Sequence, residues 1–295
     1  MVVLRRPLTT SLAAIVAMLL LALLAFALGA DAVSLVLGAA IVVAGVAFVV
    51  GAWLLPARRL RRRERRTRRQ DERKARGRAQ RTRRAVNEAE KRLYGQLEAL
   101  MWLRDTLQLK TPLPPTRGAA AAPDALLELV RIVDAGARNV LELGSGTSTI
   151  VVARRLQQAG GGRIVSLEHM PEYAALTRAQ IAAHGLEGFA VVVDAPLVDV
   201  EVGGERRRWY QLGSDVPDGI DALFIDGPPA GTGPLARYPA LPLLSDHLAP
   251  GATVFVDDGD RPDEREMVRR WTVEIDGLSA EYVPLTKGAW RLTQL

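Results

Sequence analysis

Apolar and polar positions along the chain follow three regimes in turn. The first is uncharged. Leu8 to Ala30 and Ala32 to Leu55 are mostly Leu, Ala, Val and Ile, with a short break around Gly29 and Asp31. A membrane-crossing helix takes about 20 residues. The two runs therefore predict a transmembrane helical hairpin over residues 1–56, with spans at about 8–30 and 32–55. Arg5 and Arg6 precede it and an arginine run follows it, which predicts a two-pass inner-membrane protein with both ends in the cytoplasm. A cleaved signal peptide with residues 8–30 as its core is the alternative, and it leaves the later residues on the same side.

The second regime, residues 57–111, is a basic helical stalk. It holds no proline, and only Gly77 and Gly95 interrupt it. Its arginines suit an anionic membrane surface. Val86, Leu93, Leu100 and Leu107 recur every seven residues, with Leu97 and Met101 between them. That spacing fits a short coiled coil forming a homodimer, and equally an amphipathic helix packed on the domain that follows.

From residue 112 to 295 the pattern switches between short apolar runs and helical spacing. Val140–Leu143, Ile164–Glu168, Phe189–Val193, Ile220–Asp226 and Ala252–Val256 read as strands. Helical patterns follow at Ile150–Leu156, Pro171–His184, Leu235–Leu248 and from Pro262 onward. Tyr282–Leu285 and Ala289–Leu292, around Lys287-Gly288, read as a closing hairpin. Asp199–Asp218, with Arg206-Arg-Arg208 and Trp209-Tyr210, reads as an irregular surface excursion or as the wall of a pocket. This alternation predicts a parallel sheet with helices on both faces.

Charge sharpens the division. From Arg58 to Arg84, 16 Arg and Lys face three acids; from Ala85 to Leu295, 21 basic residues face 29 acids. The C-terminal part is acidic, so no nucleic-acid partner is expected. There is no cysteine, which excludes disulfides, thiolate metal sites and a thiol nucleophile.

The chemistry gathers at the strand ends. Val140-Leu-Glu-Leu-Gly-Ser-Gly-Thr-Ser-Thr149 predicts a strand, a glycine turn and a helix N-terminus, which suits a ligand bearing negative or carbonyl oxygens. A dinucleotide fingerprint would have glycine where Thr149 stands. Glu168 ends the second strand, at the spacing of a ribose-binding acid, and Asp194, Asp226 and Asp257 end later strands. Carboxyl ends of strands are where open α/β sheets bind ligands.

With Glu142 two residues before its first glycine, the turn resembles motif I of the class I S-adenosylmethionine-dependent methyltransferases. From about Leu107 onward the chain is similar to a bacterial group of that family with an Ile/Val-Asp-Gly-Pro turn after the fourth strand and Asp-Asp after the fifth. The resemblance implies an α/β, Rossmann-like seven-stranded methyltransferase sheet with the last strand antiparallel, here preceded by the transmembrane hairpin and the stalk. It implies that Gly144, Ser145 and Gly146 pass along the methionine part of S-adenosylmethionine and that Glu142 orients its amino group. It further implies Thr147–Thr149 near the carboxylate, Glu168 on the ribose, and Asp194 and Ala195 by the adenine.

Relatives similar to catechol O-methyltransferases hold Mg²⁺ with an Asp after the fourth strand and Asp-Asn after the fifth. Asp226, Asp257 and Asp258 stand at the matching positions, with Asp258 in place of Asn. Three readings follow: a Mg²⁺ site of oxygen ligands, Asp226 or Asp257 as general base toward a hydroxyl, or a structural pair. Lys287 lies far away in sequence, in the last hairpin. The resemblance implies a methyltransferase, and the expected membrane anchor points to O-methylation of a small-molecule, saccharide, lipid-linked or other envelope-related acceptor. A non-catalytic membrane-anchored scaffold with the same fold is the alternative.

Overall fold

Residues that alternate between two apolar faces build the sheet. The computed structural model describes residues 16–17, 19–24, 26–27, 32–113 and 120–294. The chain divides into two compact units, Met1–Val86 and Asn87–Leu295.

In the first unit the expected hairpin is corrected. Residues 28–31, its turn, lie outside the described residues, and only short helical pieces of the first expected span are described. The second expected span is the beginning of a single helix, α1 (Ala32–Leu107), which continues directly into the arginine run. Among the described residues no helix is long and apolar enough to cross a membrane. The two-pass inner-membrane placement, which rested on the hairpin, falls with it.

In the second unit the last turns of α1 pack inward through Ala99, Leu103 and Leu107, and Leu93, Tyr94, Leu97, Met101 and Trp102 remain exposed. The buried face thus follows a four-residue step, so the seven-residue seam is not one buried face. Of the two readings of that stretch, the amphipathic helix packed on its own domain is the one observed.

The sheet comprises β1 (Asn139–Leu143), β2 (Arg163–Glu168), β3 (Ala190–Asp194), β6 (Ile220–Ile225), β7 (Leu248–Val256), β8 (Leu278–Val283) and β9 (Ala289–Gln294). Its order is β3-β2-β1-β6-β7-β9-β8. The pairs among the first five strands are parallel, and β9 runs antiparallel between β7 and β8. Neighbouring residues of one strand face opposite sides. Val140, Ile164, Val192, Phe224 and Phe255 therefore enter one core, with α2 (Pro123–Asp134) and α3 (Thr147–Gln158). Leu141, Leu143, Val165, Leu167, Leu223, Ile225 and Val254 enter the other, with α6 (Pro262–Glu274). α4 (Pro171–His184) follows β2 and stops at Gly185, in the left-handed conformation.

Two segments differ from the sequence reading. Leu197–Val202 (β4) and Glu205–Tyr210 (β5) form an antiparallel hairpin rather than an irregular excursion. Arg206 and Arg208 of β5 are exposed, and Arg206 pairs with Asp199, while the Arg207 side chain turns inward over the Tyr238 ring and Trp209 and Tyr210 are buried. After β6, the expected long helix shrinks to α5 (Ala240–Leu244) between short 3₁₀ turns. Pro239 and Pro242 donate no backbone hydrogen bond, which limits the helix.

Candidate active site

Every strand from β1 to β7 in the parallel part ends at the same edge, so the side chains just past those ends converge. At β1, Gly144 adopts φ +99°, a region few side chains tolerate, and turns the chain into α3. Glu142, inside the strand, is buried beneath this turn. Ser148 donates a hydrogen bond to one of its oxygens, and Thr149 and Ser166 each donate to the other at 2.5 Å. Burial raises its pKa to about 7 despite the bonds from Ser148, Ser166 and Thr149, and nearby Glu168 adds to the rise. Glu142 thus braces the turn from below.

Glu168 clamps the turn from the side. Its Oε2 accepts the Ser145 N–H at 2.9 Å and the Ser145 hydroxyl at 3.0 Å, and its Oε1 accepts the Met170 N–H at 2.9 Å. A carboxylate accepts about four hydrogen bonds, which leaves Glu168 room for a further donor such as a ribose hydroxyl. The Gly146 N–H is taken by Thr149 Oγ1 at 3.0 Å. The turn's own N–H groups are therefore largely used within the protein, and the first-turn N–H groups of α3, at Thr147 and Ser148, are the donors a helix start leaves over.

Asp194 and Ala195 follow β3. The Asp194 carboxylate is exposed and pairs with Arg178 at 2.9 Å. Ala195 is buried, and its N–H bonds the carbonyl of Glu168 at 2.7 Å. Its contact with a ligand would have to come from the carbonyl or the methyl group.

Tyr210, at the end of the hairpin, is only 1% exposed, and its hydroxyl has no hydrogen-bond partner among the described residues. It lies against the turn after β6: a Cβ on Gly227 would stand 2.1 Å from the Tyr210 oxygen and 3.1 Å from the Leu143 carbonyl. Burial pushes the phenol well above its ordinary pKa, and Glu168 pushes it further, so it remains a donor. An orphan buried donor among the strand-end acids fits a ligand carrying acceptor oxygens. Sequence reasoning had this aromatic pair in a surface excursion or in a pocket wall.

Past β6 and β7, Asp226, Asp257 and Asp258 bring carboxylate oxygens within 4.8 Å of one another. Burial, with Asp257 next, raises Asp226 well above the usual carboxylate range, against the pull of Arg237. Burial and Asp258 likewise raise Asp257. Sequence reasoning missed two cations here. Arg237, 4% exposed, donates to the carbonyls of Asp226, Pro228 and Asp257. It also reaches Asp258 Oδ2 at 3.0 Å, Asp226 Oδ1 at 3.3 Å and Glu264 Oε1 at 3.5 Å. Lys287, remote in sequence, lies 3.8 Å from Asp257 Oδ2 and 3.7 Å from Asp258 Oδ1, because β9 returns beside β7. Arg261 also holds Asp258, at 2.9 Å. The signal for Arg237 was one charged residue in the otherwise apolar and proline-rich stretch from Leu235 to Leu244.

A Mg²⁺ ion shared by the three aspartates does not fit this donor set. The face they present to one another is already occupied by a guanidinium and approached by an ammonium, and a hard cation there would meet both.

A protein family described as "Methyltransferase domain" matches residues 141–259. The chain is 28% identical over 152 residues to protein-L-isoaspartate O-methyltransferase 1 of Arabidopsis thaliana, a match over 50% of this chain and 59% of that protein. It thus spans less than two thirds of that relative. Among solved structures it is similar to an O-methyltransferase from Bacillus cereus in complex with SAH (21% identical, TM-score 0.42, covering 68% of this chain and 90% of that one). It is also similar to the SAH-bound methyltransferase PaMTH1 of Podospora anserina (14% identical, TM-score 0.47, 68% and 87%). The matched residues run from β1 to the turn after β7 and include the glycine turn and the acid-tipped strands; with the antiparallel β9 on the same sheet, the C-terminal unit is similar to class I S-adenosylmethionine-dependent methyltransferase domains.

Proposed function

We propose that this domain binds S-adenosylmethionine at the carboxyl edge of the sheet and methylates a hydroxyl oxygen of a small-molecule acceptor. The observation that carries the reading is the convergence, on one edge, of the Gly144–Gly146 turn, Glu168, the orphan Tyr210 hydroxyl and the Asp226/Asp257 pair.

The cofactor, when bound, supplies an electrophilic methyl group on a positively charged sulfur. The protein supplies position. The turn and the start of α3 would receive the methionine part, with Thr147 at the helix start. Glu168 would accept from the ribose, and Ala195 would border the adenine. The Asp194 carboxylate, paired with Arg178, is a weaker candidate for the adenine. Aligning an acceptor oxygen with the methyl group does most of what methyl transfer requires. The hydroxyl must also lose its proton. Asp257 is suited to take it: it is buried, its Oδ2 has no hydrogen-bond partner among the described residues, and burial, with Asp258 beside it, raises its affinity for a proton. Asp226 is the alternative base. The preference for a lipid-linked or envelope acceptor came from the expected membrane hairpin and loses its support with it.

The test is calorimetric titration of the full chain with S-adenosylhomocysteine. Saturable binding is expected, and Glu168→Ala should weaken it by roughly 10- to 100-fold, the scale of hydrogen bonds to a charged group. Radiolabelled transfer to a panel of hydroxyl compounds then identifies the acceptor class. A folded chain that binds no S-adenosylhomocysteine would sink the methyltransferase reading and leave a non-catalytic scaffold as the better account.

A further inference from the structure

The aspartate cluster past β6 and β7 has the composition of a divalent-cation site and the contents of something else. All three guanidinium nitrogens of Arg237 are engaged. Nε donates to the Pro228 carbonyl at 3.4 Å, Nη1 to the Asp257 carbonyl at 3.1 Å, and Nη2 to the Asp226 carbonyl and to Asp258 Oδ2 at 3.0 Å. One planar group therefore ties the end of β6, the turn after it and the end of β7. These are the places whose carboxylates would have to share an ion.

Charge agrees with that geometry. Asp226, Asp257, Asp258 and Glu264 gather four carboxylates, of which the last three are fully buried. Arg237, Lys287 and Arg261 supply three cations against them. Like charges so close in a dry site are tolerated only when each is paired. Asp258 adds to the need, because an asparagine there would bring one negative charge fewer. It also holds a left-handed backbone conformation, φ +60°, which Asp and Asn tolerate better than other side chains. Its carboxylate is gripped from both sides by Arg237 and Arg261. The charged residue at 258 and the buried arginine at 237 thus read as two halves of one arrangement.

We propose that Arg237 is a built-in replacement for a divalent cation: a positioning residue that holds the Asp226 and Asp258 carboxylates and the Asp257 main chain in place, so that this edge works without metal. Its catalytic consequence rests on the methyltransferase reading, but its occupancy of the cluster does not. An acceptor would then be held by carboxylates and by the Tyr210 hydroxyl rather than through two oxygens on an ion. The site would accept lone hydroxyls without favouring vicinal diols.

The experiment uses the full chain, its Arg237→Gln variant and its Arg237→Lys variant, with Mn²⁺ as the probe. Electron paramagnetic resonance reads free Mn²⁺, and thermal melts read stability with and without the metal. The wild type should bind no stoichiometric Mn²⁺ and melt at the same temperature in its presence. Arg237→Gln should take up one equivalent and melt higher with Mn²⁺ than without it, since a ligand that binds only the folded state raises its stability. Arg237→Lys, which keeps a positive charge, should stay blind to the metal. An equivalent of Mn²⁺ bound by the wild type overturns the proposal, as does a folded Arg237→Gln protein that ignores Mn²⁺. If Arg237→Gln does not fold alone, the wild-type titration still decides. None of these readouts requires activity, so a failed S-adenosylhomocysteine titration and a failed metal prediction are separate results. Where turnover is found, EDTA should leave it unchanged, and a loss restored by Mg²⁺ would also overturn the proposal.

Discussion

At the scale of single residues, Glu142 shows how a motif residue can do structural work. The family resemblance implied a contact with the ligand's amino group. The structure surrounds the carboxyl with the hydroxyls of Ser148, Thr149 and Ser166 beneath the glycine turn. Its pKa, raised by burial to about 7 from 4.5, makes a pH prediction. In the folded state the carboxyl keeps its proton to higher pH than in the unfolded chain. Stability from this group is therefore complete below about 4.5 and is lost as pH rises through about 7. Glu142→Gln, neutral at every pH, escapes that loss. Urea unfolding at pH 5 and pH 8 should show the variant gaining on the wild type by about 2–3 kcal/mol over that range. An offset independent of pH would mean that the three hydroxyls keep Glu142 ionised throughout. Glu168, the other acid of the turn, was legible in its place, because a strand-terminal acid at that spacing faces the turn, but its bonds to Ser145 and Met170 were not. Arg237 was not legible. A buried cation makes sense only with its counter-charges, and Asp226, Asp258 and Glu264 are supplied by three other segments.

At the scale of elements, the sheet was readable because each parallel strand is an apolar run closed by an acid or a glycine. The β4–β5 hairpin was obscured because Arg206-Arg-Arg208 breaks the apolar run, although Arg206 and Arg208 take exposed positions and Arg207 turns inward over the Tyr238 ring. Helix α1 was half legible. Its seven-residue leucine spacing is real in sequence, but packing selected the Ala99–Leu103–Leu107 face, which joins the cluster containing Leu126, Val130 and Ile150. Two substitutions separate these faces. Leu107→Ala, at a fully buried site, should cost about 2–5 kcal/mol in denaturant unfolding. Leu93→Ala, at a site 61% exposed, should stay within about 0.5 kcal/mol. A large loss at Leu93 that grew smaller on dilution would restore the coiled-coil dimer. The apolar runs before α1's basic stretch were misread for a different reason. The runs were read from composition alone, whereas among the described residues no helix is long and apolar enough to cross a membrane, and α1 passes straight into the arginine run.

At the scale of the whole molecule, the question is where the methyltransferase domain begins. Sequence composition puts the boundary at residue 112, where the prolines Pro112, Pro114 and Pro115 begin. The contacts put it at Asn87, inside α1. The difference is physical. Leu103 and Leu107 belong to the core shared with α2 and α3, and the main chain of α1's last turn is bonded from α3: Arg154 donates to the Leu107 carbonyl at 2.7 Å, and Gln158 to that of Thr106 at 2.8 Å. Deleting residues 1–111 would strip those leucines, each worth about 1.5–3 kcal/mol of burial, and would expose the apolar face of α2 and α3 beneath them. Deleting residues 1–86 leaves all of these interactions inside the fragment. Fragment 87–295 should therefore melt in one cooperative transition and bind S-adenosylhomocysteine with the affinity of the full chain. Fragment 112–295 should melt at a clearly lower temperature or aggregate, with weaker binding because the start of α3 belongs to both the core and the site. Equal melting temperatures for the two fragments would reduce the end of α1 to an appendage and return the boundary to residue 112.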